Sequence, residues 1–393
     1  MTKFTAQKQS THTPADTKKV MNFNEFKQYA STKTGNQPTI NTRTLMGMLK
    51  SVRPAGGVGE KAYIERMLSS IRRMGYTPII DGVGNIIVNN LPTDKTKSAV
   101  MFASHTDSVH RVDSPDGTQQ LAFKSDDQTV IGLASQSKQP LGFTPNCLGA
   151  DCATGNYIML RLLQANAKGL YCFFRQEEVG GIGSEFFLND PQNEKYWDKL
   201  THCISFDRKG YTSIITEQWG GQCASDEFAL DLADVIAQAD VNKRLDKFVA
   251  DPTGSFTDSA NFTDVISECT NLSVGYFNQH TASETQDLQF ADDLCDALCR
   301  IDWTTLNSYR DPKETVVYSR AVAKSSVHTW YDHYYPRTTS SDYSAYYDDY
   351  YMADPSVLLD DLYYNLQHGG LEYAKELVIN SPEQAAELLV YLT

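Results

Sequence analysis

The chain is expected to fold as an α/β protein with a mixed, mostly parallel central sheet and helices on both faces. Three observations lead there. Between residues 77 and 306, short apolar runs alternate with amphipathic stretches at helical spacing, the order that builds a sheet covered by helices. The stretch 97–104 (KSAVMFAS) reads as a buried strand and 170–174 is an unbroken apolar run, as strands buried on both faces are. His105, Asp107, Asp151, Glu177, Glu178, Asp207 and His280 fall at the ends of such runs or just beyond them. Sheets of this kind carry their sites at the carboxyl ends of strands.

Taken in order, residues 1–40 are polar, rich in Thr, Lys and Gln, and are expected to be a mobile extension with one short helix at 22–29. A helical pattern begins near residue 41. In 59–75 (GEKAYIERMLSSIRRMG) it puts Tyr63, Met67, Leu68 and Ile71 on one face, with Gly75 as the C-cap. Strands are expected at 77–80 and 85–89 around an Asp81-Gly82 turn, and 97–104 delivers His105. The Ser- and Gln-rich stretch 121–139 reads as a surface hairpin. A helix at 153–167 follows, then a strand at 170–175 leading to Glu177-Glu178 and another at 202–206 ending at Asp207. A helix at 226–239, a strand at 271–277 running into His280, and a closing helix at 290–306 complete the set.

Beyond residue 311 the composition changes. The stretch 318–351 is dense in tyrosine and too poor in aliphatics for a core of its own. Residues 358–392 read as two short helices broken at Gly369-Gly370 and Ser381-Pro382. The expected organisation is an extension at 1–40, a catalytic domain at 41–310, a tyrosine-rich linker at 311–355 and a short helical segment at 356–393.

Bulk properties narrow the function. The net charge is 35 − 49 = −14, which argues against a nucleic-acid or anionic-membrane partner. No apolar run is long enough to span a bilayer, and the opening residues lack a signal core. Eight cysteines without scaffold spacing read as reduced thiols, so the expected location is cytoplasmic. The oligomeric state stays open.

Each chemical residue has a plain reading and a sharper one. His105-Thr106-Asp107 could be a surface pair, or an imidazole ligand steadied by a carboxylate. Asp151 could cap the helix that follows, or bridge two cations. Glu177-Glu178 could be a solvated strand end, or a pair in which one acid holds a metal and the other handles a proton. Asp207 could open a turn, and His280 could be a loop histidine. Two histidines with several carboxylates suit zinc, manganese or cobalt, which accept both nitrogen and oxygen. No phosphate-loop lysine follows Gly180-Gly181-Ile182-Gly183, and no Gly-x-Ser-x-Gly elbow is present.

Residues 41–310 resemble the co-catalytic di-zinc exopeptidases, the M28 aminopeptidases with their M20 and M42 relatives. The likeness rests on Ser104-His105-Thr106-Asp107, Gly149-Ala150-Asp151, Glu177-Glu178, Phe206-Asp207-Arg208-Lys209-Gly210 and Asn278-Gln279-His280-Thr281-Ala282-Ser283-Glu284, in family order. It implies two divalent ions, zinc first, with cobalt or manganese as alternatives. It implies that His105 and Asp207 hold one ion, Glu178 and His280 the other, and that Asp151 bridges them. Glu177 would be the general base, acting through a metal-bridging hydroxide, and Asp107 would orient His105. Glu284 would support His280, and Asp258, in the loop 254–259, would contact substrate. The implied substrate is a small peptide or amide.

Cys152 stands where relatives often carry a second Asp, and their cis bond at that position leads to the same expectation for Asp151–Cys152. Only 280 − 207 = 73 positions separate Asp207 from His280, too few for the inserted lid of M20 enzymes and in keeping with M28. Aminopeptidase activity is the leading expectation, with an M20-like carboxypeptidase or deacylase second. From another class comes a catalytically idle binding or structural protein acting through its tyrosine-rich tail.

Overall fold

The computed structural model describes residues 42–94 and 96–313. The expectations for the extension at 1–40, the tyrosine-rich stretch and the helices at 358–392 lie outside the described residues.

Chain entry is by two helices rather than one, α1 (Thr42–Leu49) and α2 (Val58–Arg73). Pro54, Gly56 and Gly57 separate them, because proline lacks an amide proton and glycine resists helix. Helix α2 buries Tyr63, Met67, Leu68 and Ile71, the face predicted, and Gly75 follows it at φ 90°. Gly59 is obligatory for this packing, since a Cβ there would stand 1.9 Å from the Val52 carbonyl oxygen.

The main sheet then assembles from β1 (Ile79–Ile80), β2 (Ile86–Asn90), β3 (Val100–His105), β6 (Gly169–Phe174), β7 (His202–Arg208), β8 (Ser213–Ile215), β11 (Val249–Asp251) and β12 (Glu268–Ser273). Its order is β1-β2-β6-β3-β7-β12-β8-β11. The central pairs β6–β3, β3–β7 and β7–β12 are parallel, as is β8–β11, while β1–β2, β2–β6 and β12–β8 are antiparallel.

Alternate residues of each buried strand face opposite cores. Phe102, Tyr171 and Ile204 pack with α2, α3 (Ala150–Gln164), α6 (Asp226–Ala239) and α7 (Leu288–Leu298). Met101, Cys172 and Cys203 pack with Phe187 of α4 (Ile182–Asn189), Tyr196 of α5 (Glu194–Trp197), and Phe262. Helices therefore cover both faces. Between Asp207 and His280 the chain runs through β8, a hairpin of β9 (Glu217–Gln218) and β10 (Gly221–Gln222), α6, β11 and β12, with no inserted lid.

Four boundaries differ from expectation. The hairpin at 121–139, made of β4 (Leu121–Phe123) and β5 (Val130–Leu133), is not an isolated surface feature. It joins β13 (Tyr276–Phe277) and β14 (Thr285–Asp287) in a four-stranded sheet, because Ile131 and Leu133 are apolar enough to be buried. The strand expected at 271–277 breaks at Gly275, φ 87°, so that β13 can change sheets. The closing helix stops at Leu298, and a separate 3-10 turn, Trp303–Thr305, is capped by Asp302 accepting from the Thr304 amide. Helix α3 begins at Ala150, which draws Asp151 and Cys152 into its first turn. Their peptide bond, expected to be cis, is trans like every other described bond, as helical hydrogen bonding requires.

Candidate metal centre

Seven side chains from five strand ends and loops meet above the carboxyl edge of β3, β6 and β7. His105 is the last residue of β3 and is buried. Its Nε2 lies 3.5 Å from Asp207 Oδ1, near the end of β7, and its Nδ1 lies 3.4 Å from Asp107 Oδ1. His280 Nε2 lies 3.3 Å from Asp151 Oδ2 and 3.5 Å from Glu178 Oε1. His280 is 42% exposed whereas Asp151 is buried, so the cluster opens to solvent on the His280 side. His280 has φ 61° and Gln176, just before the glutamates, has φ 60°. Left-handed backbone in such residues costs of order 1 kcal/mol and collects at functional sites.

Buried polar contacts hold these loops in place. Asp107 accepts from the backbone N–H of both Glu177 and Glu178, each at 3.2 Å, and thereby anchors the two-glutamate turn. Glu284, expected to support His280, instead accepts from the amides of Leu148, Gly149 and Ala150 at 2.7–3.0 Å. It fixes the loop entering α3, because three amides converging at a helix start hold a carboxylate well.

Gly155 lets α3 sit against β7, since a Cβ there would meet the Phe206 oxygen at 2.1 Å. Asp258, expected to face substrate, is fully buried at the start of the 3-10 turn Asp258–Phe262, and neither of its oxygens has a hydrogen-bond partner in the protein.

Sequence reasoning missed Arg53 and Glu60. Arg53 is fully buried and donates to the carbonyl oxygens of Thr106 at 3.4 Å and Gly149 at 2.7 Å, joining the His105 and Asp151 loops. Its guanidinium lies over the Tyr63 ring at 4.5 Å. Glu60, also fully buried, accepts from Thr106 Oγ1 at 2.8 Å and from Arg175 at 3.0 and 3.1 Å. The available signal was two charges flanking Pro-Ala-Gly-Gly-Val-Gly, a stretch that only close backbone approach explains.

The electrostatics explain what the cluster lacks. Burial raises the Glu177 carboxyl well above its usual range; His105 opposes the rise, while Glu178 and Asp207 add to it. Burial also raises Glu178, opposed by His280 and reinforced by Asp151. Desolvation disfavours a charged His280, yet Glu178 and Asp151 outweigh it and raise its pKa well above the imidazole norm. Desolvation likewise raises Asp151, but the His280 hydrogen bond and the charge of His105 overcome it and hold the carboxyl low. His105 Nδ1 and Glu178 Oε1 are buried with no hydrogen-bond partner in the protein. Crowded carboxylates around two imidazoles fit divalent cations, which would supply the missing positive charge. Three ligand-competent groups, His105–Asp151–Cys152, His105–Glu177–Glu178 and Asp151–Glu178–His280, each converge within 4.8 Å.

Asp258 yields a pH prediction. Burial lifts its pKa from 3.8 to about 7; His105 opposes this, and Asp107 and Asp207 add to it. The folded state therefore binds this proton more tightly than the unfolded chain does. Its contribution to stability is present below the unfolded value of 3.8 and is lost as pH rises through about 7. In chelator-treated protein, Asp258→Asn is expected to flatten the fall in melting temperature between these two values. An unchanged slope would remove Asp258 as its source.

An α/β sheet with carboxylates and imidazoles gathered at its carboxyl edge has the donor set of a metal-dependent hydrolase. The family model for peptidase family M28 matches residues 85–316, and the chain belongs to that family. It is a peptide-bond hydrolase, and its family depends on metal. No curated protein matches the chain.

Among solved structures it is similar to aminopeptidase PepT from Bacillus cereus, with 13% identity, 67% of this chain and 99% of that one covered, and a TM-score of 0.49. It is also similar to the TET1 peptidase of Pyrococcus horikoshii, with 16% identity, 65% and 98% covered, and a TM-score of 0.45. The LapA aminopeptidase of Legionella pneumophila shows 14% identity, 78% of each chain covered, and a TM-score of 0.46. No helix among the described residues is long and apolar enough to cross a membrane.

Proposed function

We propose that this peptidase is an aminopeptidase that works with two divalent ions, zinc first among them. One observation carries the reading: Asp151 belongs both to a donor group with His105 and to another with Glu178 and His280. A carboxylate shared by two imidazole-containing groups is what a bridged pair requires. His105 and Asp207 would hold one ion, Glu178 and His280 the other, and Asp151 both. Bound there, the ions would supply Lewis acidity, lowering the pKa of water and polarising the scissile carbonyl.

The protein's own groups do the rest. Glu177, 9% exposed and raised in proton affinity by burial and its acidic neighbours, takes a proton from the attacking water and passes it to the leaving amine. Asp107 orients His105 and, through two backbone amides, aims Glu177. The acidic surround suits a substrate that presents a free ammonium group beside the carbonyl.

The test is metal content followed by a panel of aminoacyl, carboxyl-terminal and N-acyl amides. About two ions per chain are expected, with aminoacyl amides cleaved at least about tenfold faster than the blocked ones, a margin of about 1.4 kcal/mol. A preference for N-acyl amides would overturn the aminopeptidase assignment, and a protein that binds no ion after reconstitution would overturn the centre itself.

A further inference from the structure

Position 152, where relatives often carry an acid, brings a thiol into the donor cluster. Cys152 is fully buried in the first turn of α3. Its Sγ, a ring nitrogen of His105 and a carboxylate oxygen of Asp151 all lie within 4.8 Å of one another. The ring is steadied by Asp107, whose Oδ1 lies 3.4 Å from Nδ1, and by Asp207, whose Oδ1 lies 3.5 Å from Nε2. The sulfur donates to the carbonyl oxygens of Asp107 at 2.8 Å and Gly149 at 3.9 Å, and the Arg53 guanidinium and the His105 ring also lie against it. The carbonyls accept from a neutral thiol, whereas the positive charge of Arg53 favours the thiolate that a cation would bind. Cys147, on the same loop and also buried, belongs to no such donor group among the described residues.

Sulfur changes which cation a site prefers. A set of imidazoles and carboxylates binds manganese, cobalt and zinc alike, whereas a thiolate favours zinc and cadmium and contributes little to manganese or magnesium. We propose that Cys152 supplies a sulfur donor to the cation held between His105 and Asp151, making this centre selective for thiophilic metals. On binding, the S–H bond breaks, its proton passes to solvent, and a sulfur–metal bond replaces it with no change of oxidation state. The inference rests on the metal-centre reading above and adds one ligand to it.

Cobalt(II)-loaded full-length protein tests it without recourse to activity. Visible d–d bands report that cobalt is bound, and a near-ultraviolet sulfur-to-cobalt charge-transfer band reports the thiolate. The natural protein is expected to show both. Cys152→Ser should keep the visible bands and lose the ultraviolet one, and Cys147→Ser should keep both. In competition, the preference for cadmium over manganese should fall at least about tenfold in Cys152→Ser. Visible bands without the ultraviolet band in the natural protein would overturn the sulfur ligand and leave the metal centre standing. So would loss of that band in Cys147→Ser with retention in Cys152→Ser. Absence of all bands would overturn both, and because the natural protein alone gives that answer, misfolding of a variant does not blunt the test.

Discussion

Glu177→Ala is expected to keep its metal ions and lose turnover by about 10²–10⁴-fold, the range that a positioned general base contributes. The physical case lies in what the substitution leaves untouched. Asp107 grips the turn through the backbone N–H groups of residues 177 and 178, so truncating the side chain does not release it. Glu178, His280, Asp151, His105 and Asp207 keep their mutual distances, and with them the donor groups. What disappears is a carboxyl whose proton affinity is raised by burial and by its acidic neighbours, the property a proton carrier needs. The measurement is metal content beside kcat and KM: ions unchanged, kcat reduced, KM near the natural value. Full activity in this variant would refute Glu177 as the proton carrier, and loss of the ions would reassign it as a ligand.

Asp151→Ala should fail one step earlier, by losing metal. Two doubly charged ions about 4 Å apart repel by about 16 kcal/mol at an effective dielectric constant of 20, and only an anion between them offsets this. Asp151 shares one donor group with His105 and another with His280, as Glu178 also does, and Asp151 is the one the bridging assignment uses. The fold should survive, because the loop and the start of α3 are held by backbone groups: Glu284 on the amides of 148–150 and Arg53 on the Gly149 carbonyl. Equilibrium dialysis is expected to show metal affinity reduced by at least about 10²-fold, with circular dichroism unchanged. Retention of both ions would show that Asp151 is not the bridge, whatever happened to activity.

Much of this was legible in the chain itself. Helix α6 begins and ends where its pattern says, because Ser225 caps it by accepting from the Phe228 amide and its apolar residues recur at helical spacing. Strands β3, β6 and β7 lie within a few residues of expectation, since continuous apolar runs have few other places to go. Elements that depend on a distant partner were harder. The hairpin β4–β5 looks like a surface excursion until β14 pairs with it, more than 150 positions later in the chain. Glu60 looks like an ordinary acid in a first helical turn until Thr106 and Arg175 arrive from 46 and 115 positions away.

The order of the chemical residues, their placement at strand ends and the class of fold follow from the sequence alone, because periodicity and neighbouring residues control them. Tertiary structure alone decided that Glu284 holds the amides of the Asp151 loop, that Asp258 is sealed from solvent, and that a thiol stands beside His105. Those outcomes depend on burial and on Coulomb contacts between groups up to 136 positions apart, quantities that do not exist until the sheet has brought them together.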